Sequence, residues 1–161
     1  MHLEFTKFVS NQRVYKAFLE SWVLETLKLM SKEKDLLNRS RLKCQELSLV
    51  FVSQKKIKEL NDQYRSVSKE TDVLSFDGDG VFSLGELVFC LDVVKLKAQK
   101  SKLPIKLYLS MLTVHGLLHL LGYDHELSSV DEQKMFALQD KLMRKVASKL
   151  APGYKNDFDI S

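Results

Sequence analysis

The sequence is poor in the residues that mark several common classes of protein. Its 161 residues include only six glycines, two prolines and two cysteines. So little glycine and proline excludes collagen-like and low-complexity chains, and 45% hydrophobic with 29% charged residues is typical of a chain that folds around a core. The length suits one domain. We assign residues 1–151 to that domain and residues 152–161 to a C-terminal tail.

Markers of secretion and of membrane insertion are also scarce. Cys44 and Cys90 form no C-x-x-C pair, and Glu4 and Lys7 interrupt the start of the chain, where a secretory signal requires an apolar run. These features predict a cytoplasmic protein with a loop thiol and a thiol in a strand. The longest stretch without a formal charge, residues 107–123, is at the short limit for crossing a bilayer and contains two histidines. We expect a helix buried within the protein.

The hydrophobic pattern predicts an α+β domain with a mixed sheet of about four strands and helices packed over it. Apolar or alternating stretches predict strands at residues 2–8, 47–52, 73–76 and 84–91, the last two antiparallel because a turn sequence joins them. Helical spacing predicts helices at residues 14–30, after residue 53, from residue 92, at residues 104–122 and at residues 129–150. The charged residues 32–46 are predicted to form a surface loop.

Several side chains have specific predicted positions in these helices. Ser53 is expected to cap the second helix, whose apolar face is expected to include Tyr64. Asp92 is expected to open the third helix. Ser129 and Glu132 match a capping box at the start of the last helix.

Three of the four histidines are clustered in a pattern typical of a metal site. His115 and His119 are four residues apart, so on a helix they project from one face. Gly122 can end that helix in a left-handed conformation, which lets His125 turn back toward the other two. Three imidazoles suit Zn²⁺, or another ion such as Ni²⁺, and leave an open position for water or substrate, as in catalytic zinc sites.

The same histidine spacing resembles the zinc motif of the metzincin proteases. That motif places a glutamate directly after the first histidine as the general base, whereas this chain has Gly116 there. The residue at position 116 therefore cannot abstract a proton. A zinc metalloprotease-like hydrolase remains the alternative function.

Two blocks of sequence carry a further resemblance. The first is residues 115–125, HGLLHLLGYDH, and the second consists of residues 60–65, LNDQYR, and 71–76, TDVLSF, with residues 85–88 as the strand that follows it. Together these blocks resemble the histidine signature and the second sequence block of the YbeY family of bacterial endoribonucleases. The resemblance extends in matching order from about residue 47 to residue 143.

This resemblance implies a single-strand-specific, metal-dependent endoribonuclease that acts in maturation of the 3′ end of small-subunit ribosomal RNA and in ribosome quality control. The implied cofactor is one Zn²⁺ per chain, held by His115, His119 and His125. Arg65 and His115 are the implied catalytic residues, and the arginine suits phosphate because its planar fork donates two parallel hydrogen bonds. The nucleophile, water or a ribose hydroxyl, stays open. The implied partners are single-stranded RNA, ribosomal RNA and the small ribosomal subunit, with neither DNA nor a membrane expected.

The carboxylates near these blocks have less specific predicted roles. Asp124, beside the third histidine, either orients an imidazole from outside the ligand set or caps the Gly122 turn. Glu86 is a second candidate for such an outer carboxylate, and Glu86 and Glu126 are candidate proton acceptors.

Lysines are grouped in two segments that would attract RNA if they lay near the metal. These are Lys55, Lys56 and Lys58, and Lys95, Lys97, Lys100, Lys102 and Lys106. An alternative from another class is a non-catalytic, ribosome-associated metal-binding protein that docks through these faces. The open position of a three-histidine site argues against it.

Overall fold

In the computed structural model, which describes residues 1–7 and 13–153, five helices pack around a mixed sheet. The strands are β1 (His2–Lys7), β2 (Glu46–Phe51), β3 (Val73–Asp77) and β4 (Ser83–Phe89), and the helices are α1 (Arg13–Met30), α2 (Gln54–Arg65), α3 (Leu91–Lys100), α4 (Ile105–Leu120) and α5 (Ser129–Leu150). The predicted α+β class and the order of the elements are confirmed. Residue 8 of the predicted first strand and residues 154–161 of the predicted tail lie outside the described residues.

The order of the strands across the sheet is β1-β2-β4-β3. β2 is parallel to β1 and to β4, which agrees with the helices that connect these strands in the chain. β3 is antiparallel to β4, as the turn sequence between them predicts. Asp79 stabilises that turn, because its Oδ1 accepts hydrogen bonds from the backbone amides of three following residues. β3 is last in the strand order and pairs with β4, so it lies at one edge of the sheet.

The two faces of the sheet are buried by different helices. On one face, Leu49 and Leu87 belong to the large core that α1, α4 and α5 share. On the other face, Leu74 and Val88 pack with Ile57 of α2. Alternation along β3 and β4 thus assigns each side chain to the α4 side or to the α2 side of the sheet.

Helix α4 is the buried helix predicted from the charge-free stretch. Most of its side chains are inaccessible to solvent, and they include Leu109, Leu117 and Leu118. No single helix in residues 1–7 and 13–153 is long and apolar enough to span a membrane. Within the same residues, α3 and α4 are together long and apolar enough, but the two helices are bent by 112° at the break between them.

The structure corrects several local predictions. Ser128, not Ser129, caps α5, since the Ser128 side chain accepts from the amide of Asp131. Helix α3 begins at Leu91, one residue before the predicted Asp92. The predicted surface loop, residues 32–46, contains a short 3-10 helix and buries Leu36 and Cys44 in the core. The prediction for Ser53 is confirmed, because its side chain accepts from the amide of Lys56.

Candidate metal centre

The three histidines reach one place because α4 ends between the second and the third. His115 and His119 lie one turn apart near the C-terminal end of α4. Gly122 follows with φ +89, a left-handed conformation that glycine adopts without strain, and its amide donates to the carbonyl of His119. The chain then reverses and brings His125 back against the helix, as predicted.

The side chains form a compact set of nitrogen donors. One ring nitrogen from each of His115, His119 and His125 lies within 4.8 Å of the other two. His115 Nε2 and His119 Nε2 are 3.0 Å apart. Two imidazole nitrogens bound tetrahedrally to one Zn²⁺ would be about 3.3 Å apart. The donor type, number and spacing therefore fit one transition ion.

Two residues of α5 complete this centre, and sequence reasoning missed both. Gln139 Oε1 lies 2.8 Å from His115 Nδ1 and can accept a hydrogen bond from a proton on that nitrogen. The lone pair of Nε2 is then available to a metal ion. The ring of Phe136 stacks against His115 and His125, with centroid distances of 6.2 and 5.6 Å. Phe136 and Gln139 are three residues apart, so the sequence places them on one face of α5. Only the packing of α5 on α4 connects that face with the histidines.

Burial keeps two of the imidazoles uncharged. Burial lowers the pKa of His115, against the opposing effect of its hydrogen bond with Gln139. Burial, followed by the charges of His115 and His125, lowers the pKa of His119 to about 4. Neutral imidazoles carry the lone pairs that a metal ion requires, so protons compete weakly for these two ligands at neutral pH.

The histidines line a cleft of about 660 Å³, and Arg65 lies in the same cleft. Arg65 is the last residue of α2, which ends there because Ser66 adopts a left-handed conformation with φ 54. Its Nη2 lies 3.7 Å from Glu126 Oε1, in an ion pair between two half-exposed side chains. The structure thus brings together the four residues, separated in sequence, that the resemblance selected.

The carboxylates predicted near the site have other surroundings. Glu86 pairs with Phe76 across the sheet, and its side chain lies on the α2 side, opposite the side on which α4 packs. Its outer role stays a prediction. Asp124 Oδ1 accepts from the backbone amide of Glu126, in the turn around His125, and its two predicted roles stay predictions. Glu126 itself pairs with Arg65.

A buried carboxylate that sequence reasoning did not single out forms part of the cleft wall. Asp72 Oδ2 accepts from Lys97 Nζ at 3.0 Å and from the Tyr108 hydroxyl at 2.9 Å. Burial raises the pKa of Asp72, but the hydrogen bonds and charge of Lys97, with Tyr108, outweigh burial and hold the pKa below its usual value. Lys97 is thus engaged with a carboxylate, and among the described residues that line the cleft Arg65 is the only cationic side chain.

Gly116 permits the close approach of α4 to the sheet. A Cβ atom at this position would lie 2.7 Å from Leu87 Cδ2 and 3.2 Å from Ser75 Oγ. The position where a metzincin has its general base therefore faces the sheet and has no room for a side chain. The structure supports the sequence argument against that catalytic mechanism.

Comparison with known proteins agrees with this fold and shows the family. The model of the family described as Endoribonuclease YbeY matches residues 5–147. A protein of that name from Bdellovibrio bacteriovorus is 37% identical over 138 residues, covering 83% of this chain and 91% of its own. Another from a Sulfurihydrogenibium species is 32% identical, covering 89% and 95%. The solution structure of TM1509 from Thermotoga maritima superposes with a TM-score of 0.63 at 25% identity, covering 99% of each chain. This chain therefore belongs to the Endoribonuclease YbeY family.

Proposed function

We propose that this protein is a zinc-dependent endoribonuclease that cleaves single-stranded RNA, with the 3′ end of small-subunit ribosomal RNA as its substrate and a role in ribosome quality control. Membership of the Endoribonuclease YbeY family supports the reaction class. The observation that carries the mechanism is the cleft in which the three histidines and Arg65 converge. The proposed location is the cytoplasm, which suits two free cysteines.

Each residue of the cleft has a distinct proposed task. His115, His119 and His125 hold the ion, and Gln139 orients His115 by its contact with Nδ1. A bound Zn²⁺ supplies a Lewis acid that polarises a phosphoryl oxygen or lowers the pKa of water. His115 thus contributes to catalysis as a ligand.

Arg65 binds the phosphate next to the bond that breaks. Its guanidinium is about half exposed, and at 3.7 Å its pairing with Glu126 is weak, because exposed ion pairs contribute little. A phosphate group carries more charge and accepts two hydrogen bonds from the guanidinium fork, so it can displace Glu126. The arginine is then available to stabilise the charge that develops on the phosphate in the transition state.

Two substitutions separate metal binding from phosphate binding. His119→Ala should abolish cleavage of single-stranded RNA and reduce the zinc content found by elemental analysis, because one of three ligands is lost. Arg65→Ala should keep the zinc content and lower the cleavage rate by about a hundredfold. Arg65→Lys should restore only part of the rate, since an ammonium group cannot make the paired contact.

The outcomes distinguish the competing functions. Full metal occupancy with tight ribosome binding and no RNA cleavage would establish the non-catalytic alternative. Turnover of a casein-type substrate that is lost in His119→Ala would establish the protease. Product ends identify the nucleophile, because attack by a ribose hydroxyl leaves a cyclic phosphate and attack by water does not.

A further inference from the structure

An aromatic ring is exposed in the candidate cleft. Tyr64 lies on the predicted apolar face of α2, on the side of Phe76, but 60% of the residue is exposed to solvent. Tyr64 lines the cleft together with the histidines. Its ring contacts Phe76 of the edge strand β3 edge-on, with centroids 5.1 Å apart and planes 71° apart. The contact restrains the ring while most of its surface stays open to solvent.

The position of this ring is tied to that of the phosphate-binding arginine. Tyr64 and Arg65 are consecutive at the end of α2, and both line the cleft. Leu127 lines the cleft as well and is 73% exposed. Arg65 follows Tyr64 in the chain and Glu126 precedes Leu127. The ion pair between Arg65 and Glu126 therefore shows that the two segments are close. The cleft therefore offers exposed apolar surface beside its only described cationic side chain.

This combination suits one nucleotide of a single strand. A nucleotide joins an anionic phosphate to a flat base with apolar faces, and proteins that bind single strands stack such bases on aromatic side chains. Bases within a duplex are already stacked on each other, so they are not available to a protein ring without distortion of the helix.

We propose that Tyr64 forms a nucleobase subsite in which its ring stacks on an unpaired base adjoining the phosphate that Arg65 binds. The inference rests on the proposed RNA-cleaving function and adds to it the residue that favours single strands over duplexes. Stacking requires only the face of a base, so the subsite accepts all four bases with little discrimination. Tyr64 acts in binding and leaves the bond-breaking step to the other residues of the cleft.

Steady-state cleavage of a short single-stranded RNA tests the subsite. Tyr64→Ala should raise KM about tenfold with kcat within about twofold, because a base-stacking contact is lost while the metal and Arg65 remain. Tyr64→Phe and Tyr64→Trp should recover most of the affinity, since both retain a ring. The matched control is Phe82→Ala, which removes a ring that is 48% exposed in the β3–β4 turn, outside the described lining of the cleft. It should leave both constants unchanged.

Abasic substrates distinguish stacking from a structural role of the ring. The substrates are a series of RNAs that each lack one base. For the wild-type enzyme, removal of the base at one particular position should raise KM about as much as Tyr64→Ala does on intact RNA. At that position Tyr64→Ala should add no further loss. If the two losses instead multiply at every position, the ring does not contact a base and the proposal is overturned.

The design separates this inference from the function on which it rests. If the wild-type protein with zinc cleaves no RNA, the proposed function fails and the subsite fails with it. If Arg65→Ala impairs cleavage and Tyr64→Ala keeps the wild-type KM, only the subsite is wrong. Thermal unfolding of each variant identifies a loss that comes from misfolding. Tyr64→Leu, which keeps an apolar contact with Phe76 but has no ring to stack on a base, then decides the role of the ring: a folded Tyr64→Leu protein should still show the raised KM, and a wild-type KM in that variant would overturn the subsite.

Discussion

Removal of the Gln139 side chain should weaken zinc binding without removing a metal ligand. Gln139 Oε1 lies 2.8 Å from His115 Nδ1 in a half-buried position. In Gln139→Ala the imidazole loses the partner that fixes its orientation and its tautomer. Loss of such a partner typically costs 10–100-fold in metal affinity. Because water can reach a half-buried ring and replace part of the contact, we expect a loss of about tenfold, or ~1.4 kcal/mol.

Competition between the protein and a chelator of known zinc affinity measures this loss at equilibrium. Gln139→Glu should bind zinc at least as tightly as the wild type, because a carboxylate accepts the same proton and adds a favourable charge. Gln133→Ala is the matched control, since it makes the same change at an exposed position of α5. Zinc affinity in Gln139→Ala equal to that of Gln133→Ala would refute the assigned role of Gln139 and the geometry of His115 on which it depends.

Two further predictions concern stability, measured by denaturant unfolding. Ser128→Ala should lower the free energy of unfolding by about 1 kcal/mol because it removes the cap of α5. Ser129→Ala is the control and should have only a small effect. Equal effects of the two substitutions would contradict the assigned cap. Asp72→Asn should lower the free energy of unfolding by ~1–2 kcal/mol at neutral pH, because it weakens a hydrogen bond with Lys97. Since the pKa of Asp72 is lowered by folding, this difference should be complete above the unfolded value of ~4 and disappear as the pH falls through the folded pKa. A difference that persists unchanged into acid would contradict the network.

The fold was accessible from sequence wherever local chemistry determines the structure. The apolar runs of β2 and β4, the charge-free helix α4 and the turn at Asp79 each carry their own signal. The cap of α5 was misplaced by one residue because two adjacent serines offer the same hydroxyl and only backbone geometry selects between them. Leu36 and Cys44 lie in a charged segment, and the burial of both depends on packing from elsewhere in the chain.

The residues of the site also differ in whether local sequence or tertiary packing determines their position. Helical spacing and the turn at Gly122 were sufficient to predict that the three histidines converge, since these residues are close in sequence. Arg65 was selected only through the resemblance to a family, because only the tertiary fold brings the end of α2 and the end of α4 to the same cleft. Gln139 was missed for the same reason. The sequence could not assign Glu86 to one side of the sheet, because that side depends on how β3 and β4 pair and on which helix covers each face.

Zinc titration of protein stripped with a chelator tests the central claim most directly, with cleavage of single-stranded RNA as the readout. Cleavage should be absent in the stripped protein, rise with added zinc and reach a plateau at about one equivalent per chain, as one three-histidine site requires. His119→Ala should show no such rise. Undiminished cleavage by the stripped protein, or a plateau that His119→Ala also reaches at one equivalent, would contradict the account.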